Sequence, residues 1–225
     1  MSTRQADERG DEQMARLRAA ADDPAAADAA ANELLKALFA GYPVERVRPL
    51  LRSGQAHLVR AGIWIASELG ADGAPLLDDV VRLLDHPIRY VRFFAVDAVL
   101  ANAGSGHGAV TARAVRRIDD PDQAVRWKVL QLLANADRDT LAASVDGLDD
   151  SLDELVTWLI GPPDGAEIAA RLGDPERAVR LFAAAAAARS APTDPGPLTF
   201  AAGSTDEEVS SFAAERLRMV ERRRH

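Results

Sequence analysis

The stretch Ile118-Asp119-Asp120-Pro121-Asp122-Gln123-Ala124-Val125-Arg126-Trp127-Lys128-Val129 decides the fold, because the chain writes its outline three times. Leu84-Asp85-His86-Pro87-x-x-x-Val91-Arg92 precedes it, and Leu172-Gly173-Asp174-Pro175-x-x-x-Val179-Arg180 comes after it, with the same internal offsets. A helix start repeated with one shared apolar face predicts stacked helical units rather than a globule closed around a single centre.

Each repeat carries its own instructions. Pro87, Pro121 and Pro175 stand four residues before the Val, suited to a first helical turn where a missing N–H is no loss. His86, Asp120 or Asp174 precedes them and can accept a bond from the exposed amides. A fourth pair, Val59-Arg60, lacks the Pro but keeps the apolar spacing on its carboxyl-terminal side. Four residues after the Val come Ile63, Ala95, Val129 or Ala183. Seven and eight after come Ala66 with Ser67, Ala98 with Val99, Leu132 with Leu133, and Ala186 with Ala187. Offsets of 0, 4, 7 and 8 define one face of an α-helix.

The Val-Arg pairs are 32, 34 and 54 residues apart, so the last interval holds a degenerate unit near 138–162. Thr205 to Ala213 keeps the Val and Ala but has Ser210 for the Arg, as a terminal capping repeat would. The pattern predicts helices over 11–21, 25–40, 44–52, 55–69, 74–85, 87–103, 108–118, 121–136, 139–146, 151–160, 164–172, 175–189, 196–202 and 205–222. Gly/Pro turns such as Gly161-Pro162-Pro163 separate them. The first ten or so polar residues read as a frayed tail.

Composition narrows the chemistry. The chain has 225 residues, 48% of them hydrophobic, enough for one extended domain or two small ones. It has no cysteine, which excludes disulfides and thiolate metal sites. No leading apolar run resembles a signal peptide and no stretch approaches a membrane helix, so the expectation is a cytoplasmic protein without membrane contact. A net charge of −8 speaks against generic nucleic-acid binding, which depends on neutralising phosphates. Only Lys36 and Lys128 are lysine among 27 basic residues, an Ala- and Arg-rich bias of the kind GC-rich bacterial coding produces.

Paired helices of this length, with Asp-Pro before the second helix, Val-Arg in its first turn and small residues behind, resemble the HEAT repeat in its short bacterial form, over roughly 43–222. The signatures of tetratricopeptide and ankyrin repeats are absent. The resemblance implies an all-α, right-handed α–α superhelix, an armadillo-like solenoid of about six helix pairs. Residues 1–42 would be a tail and helical cap, and 43–225 the array. In that family an Asp near the turn and the Arg after the Val commonly form a ladder between repeats. Here Asp85, Asp119 or Asp120, and Asp174 would then partner Arg60, Arg92, Arg126 and Arg180.

The resemblance also implies that second helices line a concave face, with the second, third and sixth residues after the Val turned towards it. Those positions hold Phe93, Phe94 and Asp97, then Trp127, Lys128 and Gln131, with Phe182 in a later repeat and Arg89 and Tyr90 at the rim. Aromatic anchors ringed by polar groups are typical of binding hot spots. The competing reading places the same aromatics between helices as core, as it does Trp64 and Trp158.

Catalysis finds less support. His57, His86, His107 and His225 lie in four separate turns or termini, so no metal or cofactor is expected. Gly104 to Gly108 comes after a helix rather than a strand, which suits a turn better than a phosphate cradle. The carboxylate pairs Asp78-Asp79, Asp119-Asp120 and Asp149-Asp150 read as solvated faces and caps. Arg216, Arg218, Arg222, Arg223 and Arg224 read as a helix end complementing its dipole.

The expected function is a non-catalytic scaffold that holds a protein or peptide on its concave face, toxin-neutralising immunity proteins and assembly factors being examples. The alternative is a HEAT-like enzyme or nucleic-acid-binding array similar to a DNA glycosylase, with Asp97 near Trp127 as its acid. The identity of the partner and the oligomeric state stay open.

Overall fold

A computed structural model describes residues 3–161 and 163–224; Pro162 and His225 lie outside the described residues. The protein is all-helical, with no strand among the described residues. It divides into two compact units, Met1–Ala103 and Gly104–His225. No helix among the described residues is long and apolar enough to cross a membrane.

Unit 1 holds α1 (Thr3–Ala19), α2 (Pro24–Phe39), α3 (Arg48–Leu51), α4 (Ala56–Glu68), α5 (Leu77–Val80) and α6 (Arg89–Asn102). Helix α1 packs on α2, α2 on α4 and α4 on α6. Unit 2 holds α7 (Gly108–Val115), α8 (Gln123–Asn135), α9 (Arg138–Ala142), α10 (Asp150–Ile160), α11 (Gly165–Leu172), α12 (Arg177–Ser190), α13 (Gly196–Ala202) and α14 (Glu207–Arg224). The apolar stripe read at offsets 0, 4, 7 and 8 is buried in every aligned repeat except at Val179, which is half-buried.

The repeated motif works differently from the sequence expectation. The helices begin not at Pro87, Pro121 and Pro175 but two residues later, at Arg89, Gln123 and Arg177. His86 Nδ1, Asp120 Oδ1 and Asp174 Oδ1 accept the backbone N–H of Ile88, Asp122 and Glu176, at 3.2, 3.0 and 2.8 Å. Each acceptor thus closes a tight turn around the proline, in the way Asx turns do. The Arg of the Val-Arg pair then ties that turn to its own helix. Arg92, Arg126 and Arg180 each donate through Nη1 to the carbonyls of both turn residues, at 2.7–3.2 Å.

First helices are shorter than their periodicity predicts. The stretch expected as one helix over 74–85 is a 3₁₀ segment (Gly70–Leu76, containing Pro75), the short α5 and a second 3₁₀ segment (Val81–Asp85). Pro75 withholds an N–H from the ladder, and 3₁₀ geometry accommodates the shortfall over short pieces. The expected tail, by contrast, is helical over its described residues, 3–10. Gly10 lies directly under the Tyr42 ring, where an added Cβ would sit 2.3 Å from Cδ2. The Tyr42 hydroxyl donates to Asp11 Oδ1 at 2.7 Å, and Arg9 pairs with Glu33, so α1 is tied both to α2 and to the turn beyond it.

In unit 2, α12 lies between α8, α10, α11, α13 and α14. Its run Leu181 to Ala188 is buried throughout, as expected of a helix surrounded by others. The alanines give every neighbour close approach.

Candidate binding groove

A concave groove lies in unit 1, between α2 and α4. Helix α2 presents Pro24, Ala27, Asp28, Ala31 and Asn32 along one face, and α4 presents Ala56, His57, Arg60, Ala61 and Trp64. Both sets keep helical spacing, so they form two facing walls. The small alanine side chains keep the space between them open, with a cavity volume of about 570 Å³. Tyr90, the second residue of α6, closes one side.

An aromatic and cationic stack organises that side. The Arg60 guanidinium carbon sits 4.4 Å from the centre of the Tyr90 ring, within cation–π range. Tyr90 meets Phe94 at a centroid distance of 4.6 Å, tilted by 49°, and Phe94 meets Phe93 at 5.0 Å, nearly edge-on at 77°. Burial raises the Tyr90 phenol above its ordinary value; Arg60 opposes the rise and Asp28 reinforces it. His57 Nε2 is buried in the groove wall with no hydrogen-bond partner among the described residues.

The residues singled out in the sequence fall into different settings. Arg89 is exposed, while Tyr90, Phe93, Phe94 and Asp97 are half-buried on α6 in unit 1. Trp127, Lys128 and Gln131 are half-buried on α8 in unit 2. Trp127 packs edge-on against Phe212 of α14, with ring centroids 5.4 Å apart. Phe182 is fully buried and belongs to the core of unit 2, a correction to its expected place on an open face. Ile65, Leu181 and Ala185, at the same offsets, are buried too. Gly62 faces α3, and an added Cβ there would lie 2.7 Å from Leu50 Cβ.

Several of the recurring arginines meet partners other than the acids named above. Arg60 turns to Tyr90 instead of an aspartate. Arg180 Nε donates to Asp206 Oδ2 at 2.8 Å, so its acid comes from the next repeat but from a different offset. Burial would raise the Asp206 carboxyl, but the Arg180 hydrogen bond and the Val209 and Glu208 amides outweigh it, holding the group below its ordinary value. Arg126 reaches Glu208, 82 residues away, through Nε at 3.0 and 3.1 Å and Nη2 at 2.8 Å. Asp120 and Asp174 each accept an amide of the turn in their own repeat.

Two other expectations shift. Asp79, read as part of a solvated pair, is only 3% exposed and is ringed by Arg52 at 2.6 Å, Arg82 at 3.4 Å and Arg48 at 3.7 Å. Trp158 and Trp64, read as core, are half-buried; Arg171 lies 4.4 Å over the Trp158 ring. The Gly104 to Gly108 loop is held as a turn by the Gly104 N–H donating to His107 Nδ1 at 3.1 Å. No group of three or more metal-ligating side chains occurs among the described residues. In the basic carboxyl-terminal cluster, Arg216 donates to Asn135 Oδ1 at 2.9 Å and Arg222 to the Arg218 carbonyl at 3.3 Å.

Asp28, Asn32, His57, Arg60 and Trp64 went unrecognised as one site. Asp28 and Asn32 stand four apart on α2; His57, Arg60 and Trp64 stand three and four apart on α4. Either stripe was visible as a helix face, but nothing local told that the two faces meet. No protein-family model matches the chain, and no curated protein matches it.

Proposed function

We propose that this protein is a non-catalytic binding scaffold, a HEAT-like α–α superhelix that holds a protein or peptide segment. The groove of unit 1 is its recognition site. The observation that supports this reading most is the half-buried aromatic set Trp64, Tyr90, Phe93 and Phe94, gathered around Arg60 at the edge of a cavity of about 570 Å³. That volume falls in the range of sites that enclose a ligand or a peptide side chain. The corresponding aromatic of α8 in unit 2, Trp127, is engaged by the protein's own Phe212, so the recognition role moves to unit 1.

The test is site-specific cross-linking in the cell of origin. A photoreactive phenylalanine analogue at Ala61, on the groove wall, should capture a defined peptide or polypeptide, and Tyr90→Ala with Trp64→Ala should abolish that adduct. A matched probe at the exposed Glu68 serves as control. Adducts at Ala61 no different from those at Glu68 would overturn the reading.

A further inference from the structure

We infer that the unit 1 groove binds short peptides with both ends free, placing the terminal ammonium on Asp28 and the terminal carboxylate on Arg60. This rests on the reading of unit 1 as a peptide-binding unit and names the chemistry its groove selects. Asp28 and Arg60 stand on opposite walls of one cavity, and neither side chain has a hydrogen-bond or ion-pair partner among the described residues. They do not pair with each other, yet both act electrostatically on the Tyr90 phenol, in opposite directions. Two charges of opposite sign that meet no opposite charge in one groove, Arg60 resting only on the Tyr90 ring, are satisfied together by a ligand that carries both signs.

The remaining lining fits the rest of such a ligand. His57, one helical turn before Arg60, lines the same wall and its ring borders the carboxylate end. Ala27, Ala31 and Ala61 leave room for an apolar side chain beside Trp64. The volume of about 570 Å³ suits a small ligand of a few residues better than a single free amino acid. The balance of one acid against one guanidinium also disfavours strongly anionic ligands, which draw on clustered cations.

Isothermal titration calorimetry of the whole chain with three probes decides the matter: Leu-Leu, N-acetyl-Leu-Leu and Leu-Leu-amide. Leu-Leu should bind, and blocking either end should weaken binding by about tenfold or more, the size expected for loss of one charge-assisted hydrogen bond. Arg60→Gln should weaken Leu-Leu to the level of its amide while leaving the amide's own affinity unchanged. Asp28→Asn should do the mirror experiment with the acetylated probe. Both side chains are exposed, so the variants should fold, which far-UV circular dichroism checks. Equal binding of the three probes, or no binding of Leu-Leu up to ~10 mM, would overturn the inference. If the Ala61 cross-link persists under those results, the scaffold reading stands without it; if the cross-link is also absent, both fall.

Discussion

Removing the Glu208 carboxylate should unfasten α14 from α8. Arg126 and Glu208 side chains are only 9% and 8% exposed, and three guanidinium-to-carboxylate contacts of 2.8–3.1 Å join them. An exposed pair of this kind contributes at most about 1 kcal/mol. A buried pair that loses one partner costs about 3–5 kcal/mol, because the other charge stays behind without compensation. Arg126 keeps the Asp120 and Pro121 carbonyls, at 2.7 and 3.2 Å, which softens that loss. The expectation for Glu208→Ala is therefore the lower end, about 3 kcal/mol, and for Glu208→Gln roughly half, since an amide oxygen still accepts. Urea unfolding followed by far-UV circular dichroism and tryptophan fluorescence measures it, and Trp127, beside Phe212 on α14, makes the fluorescence sensitive to this contact. Added salt should change the wild-type value little, because a buried pair is weakly screened. A cost below about 1 kcal/mol for Glu208→Ala would refute the claim that this clasp holds the end of unit 2.

Three further outcomes are expected. Gly62→Ala should destabilise unit 1 by about 1–3 kcal/mol in the same assay despite the better helix propensity of alanine, since the new Cβ meets Leu50 Cβ at 2.7 Å. Burial, then the nearby Arg92 charge, lowers the His86 pKa below its ordinary 6.5, and its Nδ1 must stay unprotonated to accept the Ile88 N–H. Its contribution is therefore full above that unfolded value and is lost as pH falls towards the lower folded one; His86→Asp, the acceptor used in the sister repeats, should remove this loss over the same window, measured by thermal melts. Burial, then the Asp11 hydrogen bond, pushes the Tyr42 phenol up to about 12, so its stabilisation should be full below pH 10 and fade as pH rises towards 12; Tyr42→Phe should flatten that alkaline limb in chemical denaturation.

The fold was legible wherever it rests on neighbours in sequence. The 0, 4, 7, 8 stripe predicted helices whose ends mostly agree with the structure to within two residues, because helix formation depends on contacts three and four residues apart. Errors arose where a proline had two possible roles. Pro87, Pro121 and Pro175 suit a first helical turn, but the side chain before each one bonds across it and makes a turn outside the helix. Arg92, Arg126 and Arg180 each donate to carbonyls of their own turn, which carry no letter in the sequence.

The binding groove was far less legible. Its walls come from α2, which lies outside the repeats, and from α4, the repeat without the proline. Among the offsets assigned to an open face, Phe182 proved to be core and Trp127 is engaged by Phe212, while Phe94 stacks on the rim residue Tyr90, which carries Arg60.

By itself, then, the sequence determined an all-helical chain, the position of nearly every helix and the face each one buries. Those properties repeat with the period of a single helix and need no knowledge of what lies across from it. Only the tertiary structure decided that Arg126 meets Glu208 rather than an acid of the adjoining repeat, and that Asp28 and Arg60 share a cavity without pairing. Such contacts depend on how successive helices cross and how far each is turned about its axis. Small changes in packing at buried alanines and glycines set both, and no local spacing records them.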